Sequence, residues 1–258
     1  MTTSTTRENK TWYWISIILL LALWELTARL VGKEIIIPSL PSVGKELWKI
    51  LRSPSAWQVI GGTLRRIGLT FLLDLVLALL LGIPAGLYPK VEQALRPIES
   101  SARTVPTMGI ALLAIIWLDS EGAPYLVSSL IVFPILYRSV VDGILNMDPH
   151  LAAFHRVHRV GKGKTLRHFY IPSLLPFLKT GAIASLGLLF KVMVTAEVLS
   201  QPKHAVGTIF QIERSQLNTA AVMAWCVFMI VLSSLFELLI KNLGRLRGRR
   251  AWEVLNGN

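Results

Sequence analysis

The chain has 258 residues, of which 53% are hydrophobic and only 16% charged, and its mean hydropathy is +0.55. Soluble domains carry about 25% charged residues, so an ordinary soluble globular protein is excluded and an integral membrane protein is indicated. The net charge of +12 then reads as cytoplasmic Lys and Arg rather than as a nucleic-acid footprint. A single cysteine, Cys226, rules out a disulfide framework within one chain. In its apolar run it is expected to be a small buried hydrophobe.

A helix needs about 20 apolar residues to cross a bilayer. The polar opening MTTSTTRENK is followed by WYWISIILLLALWELTARL. That run is longer than a signal-peptide core and is not ended by a small-x-small cleavage site. It is expected to be a retained first span, 12–31, anchored at the interface by Trp12, Tyr13 and Trp14. Next comes a proline-punctuated stretch whose middle, 42–52, spaces Val43, Leu47, Ile50 and Leu51 as one face of a short interfacial amphipathic helix. The second span, 60–88, holds Asp74 near its middle. Its Gly82 and Gly86 form a small-x-x-x-small pair suited to close helix packing.

The third span, 94–118, opens with the polar ALRPIESSARTVPTMG, which should face protein or a water-filled path rather than lipid. DSEGAP reads as a turn, and 124–145 as the fourth span. A basic loop then runs to Pro176, followed by spans at 177–199 and 220–241. The connection QPKHAVGTIFQIERSQLNT between those two is too long for a tight turn. No repeat of 20–50 residues is visible. The sequence thus predicts an all-α integral membrane protein with one domain over 1–258 and about six transmembrane helices.

Charge sets the expected orientation. Arg156, Arg159, Lys162, Lys164 and Arg167 lie in the loop before span five, and Lys241, Arg245, Arg247, Arg249 and Arg250 follow span six. An even number of spans separates the two blocks, so both fall on the cytoplasmic side, and with six spans the N-terminus joins them. Lys33, Lys45, Lys49 and Arg52 then lie outside, diluted by Glu34 and Glu46.

The loop RVGKGKTLRHFYIPSLLP contains GKT, the end of a phosphate-binding loop motif. The motif requires a glycine five residues before Gly163, and that position is His158. No β-branched strand precedes it, so the backbone cannot wrap a phosphate as such loops do. His155, His158 and His168 lack a carboxylate or cysteine to complete a metal set. The polar residues form no Ser-His-Asp arrangement. No catalytic, cofactor or metal residue is therefore assigned. Asp74, Lys191 and Glu197 lie inside spans, where ionisable groups are costly and face a pathway or pair with each other. Asp74 and Lys191 fall at similar depths near the midplane, which permits an ion pair between them.

A long cytoplasmic loop ending in IPSLLP before the second-last span resembles the coupling loop of ABC importer permeases. The segments IPSLPSV, TLRR, ARTVPTMGIALLAIIW, FPILYRSVVDGI, LRHFYIPSLLPFLKTG and GLLFKVMVTAEVL are similar to the nitrate/sulfonate/taurine branch and follow its order along nearly the whole chain. The resemblance implies that loop 148–172 forms short helices that dock in a cleft of a cytoplasmic ATPase subunit. The residues expected there are Ala153, Phe154, His155, Val157, Arg159 and Gly161.

The family's E-A-A signature is degraded. Aligned on Ile171-Pro172, Ala153 stands at the acid, His155 at the second small residue and Arg159 at the glycine. A second register uses Leu151-Ala152-Ala153 with Asp148 as the acid. Phe154 and Val157 still suit helix-in-groove recognition. The resemblance further implies a non-enzymatic permease of the cell membrane, paired with a second permease subunit and served by an extracytoplasmic substrate-binding protein. Its expected cargo is a small anion or a heterocyclic vitamin precursor. A secondary transporter, which would need coupling-ion sites at broken helices and often inverted repeats, and a membrane-embedded enzyme are the alternatives.

Overall fold

The computed structural model describes residues 10–147 and 170–256, and none of these residues forms a strand. They fold into α1 (Lys10–Val31), α2 (Leu40–Arg52), α3 (Pro54–Leu87), α4 (Pro89–Thr104), α5 (Thr107–Leu145), α6 (Ile171–Ser200), α7 (Val206–Ser215) and α8 (Thr219–Asn256). Five segments of the described residues are long and apolar enough to cross a membrane: Trp14–Val31, Pro54–Leu87, Thr107–Leu145, Ile171–Ser200 and Thr219–Leu239. Two compact units emerge, one made of the chain up to Trp57 with Phe210–Phe228, the other of Gln58–Ile209 with the chain from Met229 onward.

In the first unit, α2 begins where Ser39 caps it by accepting from the Ser42 N–H, and a proline occupies its first turn, where a missing N–H costs nothing. The amphipathic pattern places Val43 and Ile50 inside and leaves Trp48 outside with the Arg52 guanidinium 4.4 Å from its ring. Two side chains of α1 tie down the following turn: Trp24 Nε1 donates to the Pro38 carbonyl, and Glu25 accepts from the Leu40 N–H. Glu25 and Glu46 also pair locally with Arg29 and Lys49, which offsets the basic charge of this region. Trp57, Trp225 and Phe228 meet edge to face. Cys226 is exposed, contrary to expectation. On a helix apolar enough to cross a membrane, outward positions are filled by apolar side chains too.

The second unit is built on α3, α5 and α6. α5 is two limbs, 107–118 and 120–145, joined at Asp119, whose φ of 62° and ψ of −174° interrupt the helix. Asp119 Oδ1 accepts from the N–H groups of Glu121 and Gly122 at 2.8 and 3.0 Å, capping the second limb. The limbs pack on one another through Ala111 and Ala114 against Ala123 and Val127, so the chain reverses here, in the DSEGAP stretch read as a turn. The stretch read as a third span, 94–118, is not one helix. α4 ends at Thr104, and Val105 and Pro106 adopt extended backbone before α5 begins. The cause is Pro106, which disfavours helical geometry in the residue before it.

Boundaries shift elsewhere as well. α3 starts at Pro54, and IPSLLP opens α6 instead of ending a loop. α7 occupies part of the connection before α8, and the stretch expected as a tail after residue 241 continues α8 to Asn256.

Glycines set the register. A Cβ at Gly82 would lie 2.8 Å from Val140 and one at Gly86 2.7 Å from Ile144, so α3 and the second limb of α5 run parallel and in close contact, as the small-x-x-x-small spacing predicts. α6 runs antiparallel to that limb. Leu174 and Phe177 pack on Gly143, Gly181 meets Ser139, and Ser128 Oγ donates to Met193 Sδ at 3.8 Å. At 1.5 Å per residue the limb 120–145 is about 39 Å long, more than the roughly 30 Å of a hydrocarbon core.

Candidate functional site

α3 is inverted relative to a helix of a soluble protein. Thr63, Arg66, Thr70 and Asp74 are buried, while Leu69, Leu72, Leu73, Val76 and Leu80 are exposed. The buried set is spaced three, four and four residues apart and so shares one face. Such an arrangement is stable only where the exterior is apolar and every interior polar group finds a partner or water.

The partners of the first two residues come from α5, α6 and α7. Glu197 of α6 has no exposed surface. Its Oε2 accepts from Thr63 Oγ1 at 2.9 Å and from the Gly207 N–H at 3.1 Å, and its Oε1 accepts from Arg66 Nη1 at 3.2 Å. Arg66 Nη2 donates to Glu121 at 2.7 Å. The same guanidinium reaches the carbonyls of Lys203 and His204 at 2.8 and 3.3 Å. Glu121, half exposed, also accepts from the Lys203 N–H at 2.6 Å.

The site needs two glycines. A Cβ at Gly207 would collide with Glu197 and the Val198 N, and one at Gly62 with the His204 carbonyl. Without side chains there, the start of α7 and the connection before it lie directly on α6 and α3. The Glu197 carboxylate thus sits at the N-terminus of α7, where free N–H groups and the helix dipole favour a negative charge. Thr63 Oγ1 accepts from the next free donor, the Val206 N–H, at 3.0 Å. Gln201 terminates α6 in the left-handed region with φ 51°, and His204 has φ 49°.

The residues singled out in the sequence fare differently. Glu197 is paired, but with Arg66 and not with Lys191. Lys191 is exposed on α6 and forms none of the ion pairs of the described residues, so the Asp74–Lys191 pair permitted by depth is not formed. Equal depth did not bring them together, because Asp74 is on the buried face of α3 and Lys191 on an outward face of α6. Asp74 has no exposed surface; Ser129 is the polar side chain beside it, but neither carboxylate oxygen meets hydrogen-bond geometry. Thr70 Oγ1, one turn away, is also unpartnered. Ala153, Phe154, His155, Val157, Arg159 and Gly161 lie outside the described residues.

Arg66 and Glu121 are the residues that sequence reasoning did not single out. The signal was present in the 63/66/70/74 periodicity on a helix whose other faces are leucine-rich. Farther along, α4 brings Arg96, Glu99 and Ser100 to a concavity of about 340 Å³ shared with Arg138. Arg138 in turn pairs with Asp142 at 2.8 Å and Glu92 at 3.6 Å.

Similarity to known proteins agrees with this architecture. The chain is 28% identical over 243 residues to the riboflavin transport system permease protein RibX of Chloroflexus aurantiacus, covering 93% of this chain and 89% of that one. It is 26% identical over 190 residues to the taurine transport system permease protein TauC of Escherichia coli, covering 73% and 69%. Among solved structures, a bacterial ABC transporter involved in the import of the acidic polysaccharide alginate superposes with a TM-score of 0.59 at 16% identity, over 92% of this chain and 96% of that one. Residues 75–249 match the model of the binding-protein-dependent transport system inner membrane component. The chain therefore belongs to that family and is a permease subunit of an ABC importer, whose ATP hydrolysis resides in a separate subunit.

Proposed function

We propose that this permease carries a small anion of the nitrate, sulfonate or taurine type, or a heterocyclic vitamin precursor, and that its 148–172 loop transmits ATPase motion to the spans. The substrate reading rests on the relatives' cargo, which includes taurine and riboflavin. The coupling reading rests on one observation: the second limb of α5 and α6 are antiparallel and packed at Gly143 and Leu174, so both deliver the ends of the loop to one end of the bundle. The arginine–glutamate cluster lies a helix length away at the other end. The basic charge of the loop, with Arg156, Arg159, Lys162, Lys164 and Arg167, assigns that end to the cytoplasm.

In this arrangement the membrane is crossed six times. α1, α3, α6 and α8 each cross once, α4 with the first limb of α5 crosses together, and the second limb returns. Both termini are then cytoplasmic. Two permease subunits form the path, a substrate-binding protein delivers cargo from outside, and the ATPase pair closes on ATP and moves the docked loops. The polar α4 and the concavity at Arg96 and Arg138 are the parts of the described chain best suited to a water-filled route.

Replacing Phe154 and Val157 together by Asp tests the coupling role. The double variant should insert normally, yet lose most transport, either by losing its ATPase or by hydrolysing ATP without import. Co-purification and proteoliposome uptake report both. Normal uptake by an intact complex would overturn the assignment.

A further inference from the structure

The helices long and apolar enough to cross a membrane differ in what they turn outward. α3 exposes Leu69, Leu72 and Leu80, the first limb of α5 exposes Leu112, Ile116 and Trp117, and α8 exposes Ile230, Leu235 and Leu238. Such side chains suit hydrocarbon. α6 is the exception. From Pro176 to its end at Ser200 the exposed positions are Pro176, Thr180, Ala184, Lys191 and Thr195, and none carries a large apolar side chain. They stand four or seven residues apart and so form one stripe. The hydroxyls of Thr180 and Thr195 donate back to the Pro176 and Lys191 carbonyls, so the threonines ask nothing of their surroundings. Lys191 does.

With the 30-residue α6 centred in the bilayer, Lys191 lies about 8 Å from the midplane, inside a hydrocarbon half-thickness of about 15 Å. The nearer surface is the one at the C-terminal end of α6. Side chains on a helix lean toward its N-terminus, so that of Lys191 leans toward the bilayer centre, which opposes escape of the ammonium to that surface. Among the described residues the ammonium has no ion-pair or hydrogen-bond partner. One turn toward the loop end stands Glu237 of α8, whose Oε1 lies 2.7 Å from the place a Cβ on Gly187 would take, and it is not paired with Lys191. Hydrocarbon does not solvate an ammonium at this depth, so the stripe that carries it faces water.

We propose that the Thr180–Thr195 stripe of α6 forms, with the polar α4, a wall of the water-filled route, and that Lys191 is the residue that selects an anionic solute there. An ammonium is a compact point charge with three donors and no fixed fork. It meets the oxygens of a sulfonate or nitrate without the two-point grip of an arginine. Glu237, one turn away, keeps the positive field local. Both features suit a stop that the solute can leave as readily as it enters. The proposal rests on the reading of this chain as an importer of a small solute, and it narrows the cargo from two classes to the anionic one.

The test uses the whole permease–ATPase complex, in lipid nanodiscs for labelling and in proteoliposomes with its binding protein for uptake. The exposed Cys226 is first replaced by Ser. Lys191→Cys is then treated with two methanethiosulfonates, one adding an aminoethyl group and the other a sulfonatoethyl group. The sulfonatoethyl reagent should modify this thiol at least about tenfold faster than that of Leu72→Cys on the outward face of α3, because only a thiolate reacts and it forms in water. The maximal rate of methanesulfonate or nitrate uptake by Lys191→Cys should fall by about tenfold. Aminoethyl modification should restore most of that rate and sulfonatoethyl modification none, with little change in the half-saturating concentration, since the binding protein captures the solute first. An unlabelled Lys191→Cys in a complex that retains its ATPase overturns the proposal, because the stripe then faces lipid or a sealed contact. Equal uptake after either modification overturns the role of charge. Import of riboflavin but of neither anion overturns the anionic class and leaves the importer reading standing. If Lys191→Cys fails to assemble, Lys191→Arg and Lys191→Gln replace it, and anion uptake should survive in the first and fall in the second. A wild type that recovers no ATPase would instead overturn the importer reading itself.

Discussion

The buried face of α3 changes character halfway along. From Thr63 to Asp74 it is polar, and from Ala78 to Gly86 it is small, with Ala78 and Ala85 buried and Gly82 and Gly86 meeting the second limb of α5. The first half is held at Thr63 and Arg66 by directional bonds to charged partners, the second by surfaces that interlock only because nothing projects from them. In lipid, where apolar burial gives little preference for protein over hydrocarbon, these are the two means by which helices recognise one another. One end of α3 is thereby specified by chemistry and the other by shape.

Removing charge at the first end should cost most. Glu197→Ala leaves Arg66 buried with one carboxylate fewer and strips Thr63 and the Gly207 N–H of their acceptor. Breaking a buried pair by deleting one partner costs about 3–5 kcal/mol. A large loss of thermal stability in detergent is expected, and Arg66→Met added to Glu197→Ala should recover part of it. Additive losses would show that the pair is not coupled.

Filling the second end should cost less. Gly86→Val places methyl groups where Ile144 already stands, and overpacking of this kind costs about 1–3 kcal/mol. The same thermal assay, together with a normal result for Gly68→Val, would show the effect to be local, since a Cβ at Gly68 meets nothing within 4 Å. An unperturbed Gly86→Val protein would mean that the second half of α3 is not closely packed.

The smallest effect is expected at Asp74, where the polar half ends. Its carboxylate has no ion-pair partner to lose, with only Ser129 beside it, so Asp74→Asn, which keeps the shape and removes an ionisable group from a buried position, should leave stability unchanged or raise it. A loss comparable to that of Glu197→Ala would reveal a partner for Asp74 and erase the distinction between the paired and unpaired members of the face.

Much of this was legible in the sequence. The apolar runs announced the spanning helices, Gly82 and Gly86 announced close packing, and DSEGAP announced the reversal now seen at Asp119. Pro106 marks a bend in the sequence, but not that one helix ends there and another begins, because a polar run on one side and an apolar run on the other still sum to a plausible span. The site was harder to read. Charge at depth pointed to Glu197, but nothing local names its partner, which stands 131 residues earlier. Depth alone suggested Lys191 for Asp74, whereas which way a side chain points around the helix decides the matter, and rotation about the axis is fixed only by packing.

That separation in sequence has a consequence for biogenesis. At about 5–20 residues per second, the 131 residues between Arg66 and Glu197 take roughly 7–26 s to synthesise. Glu121 follows Arg66 by only 55 residues, but throughout the longer interval α3 lacks its buried partner, and Thr63 awaits both Glu197 and the still later Val206. A long arginine side chain can meanwhile extend along the helix toward headgroups and water. The ribosome therefore releases α3 in a provisional state, and the cluster that holds Arg66 and Thr63 is complete only when α6 and α7 have followed α5.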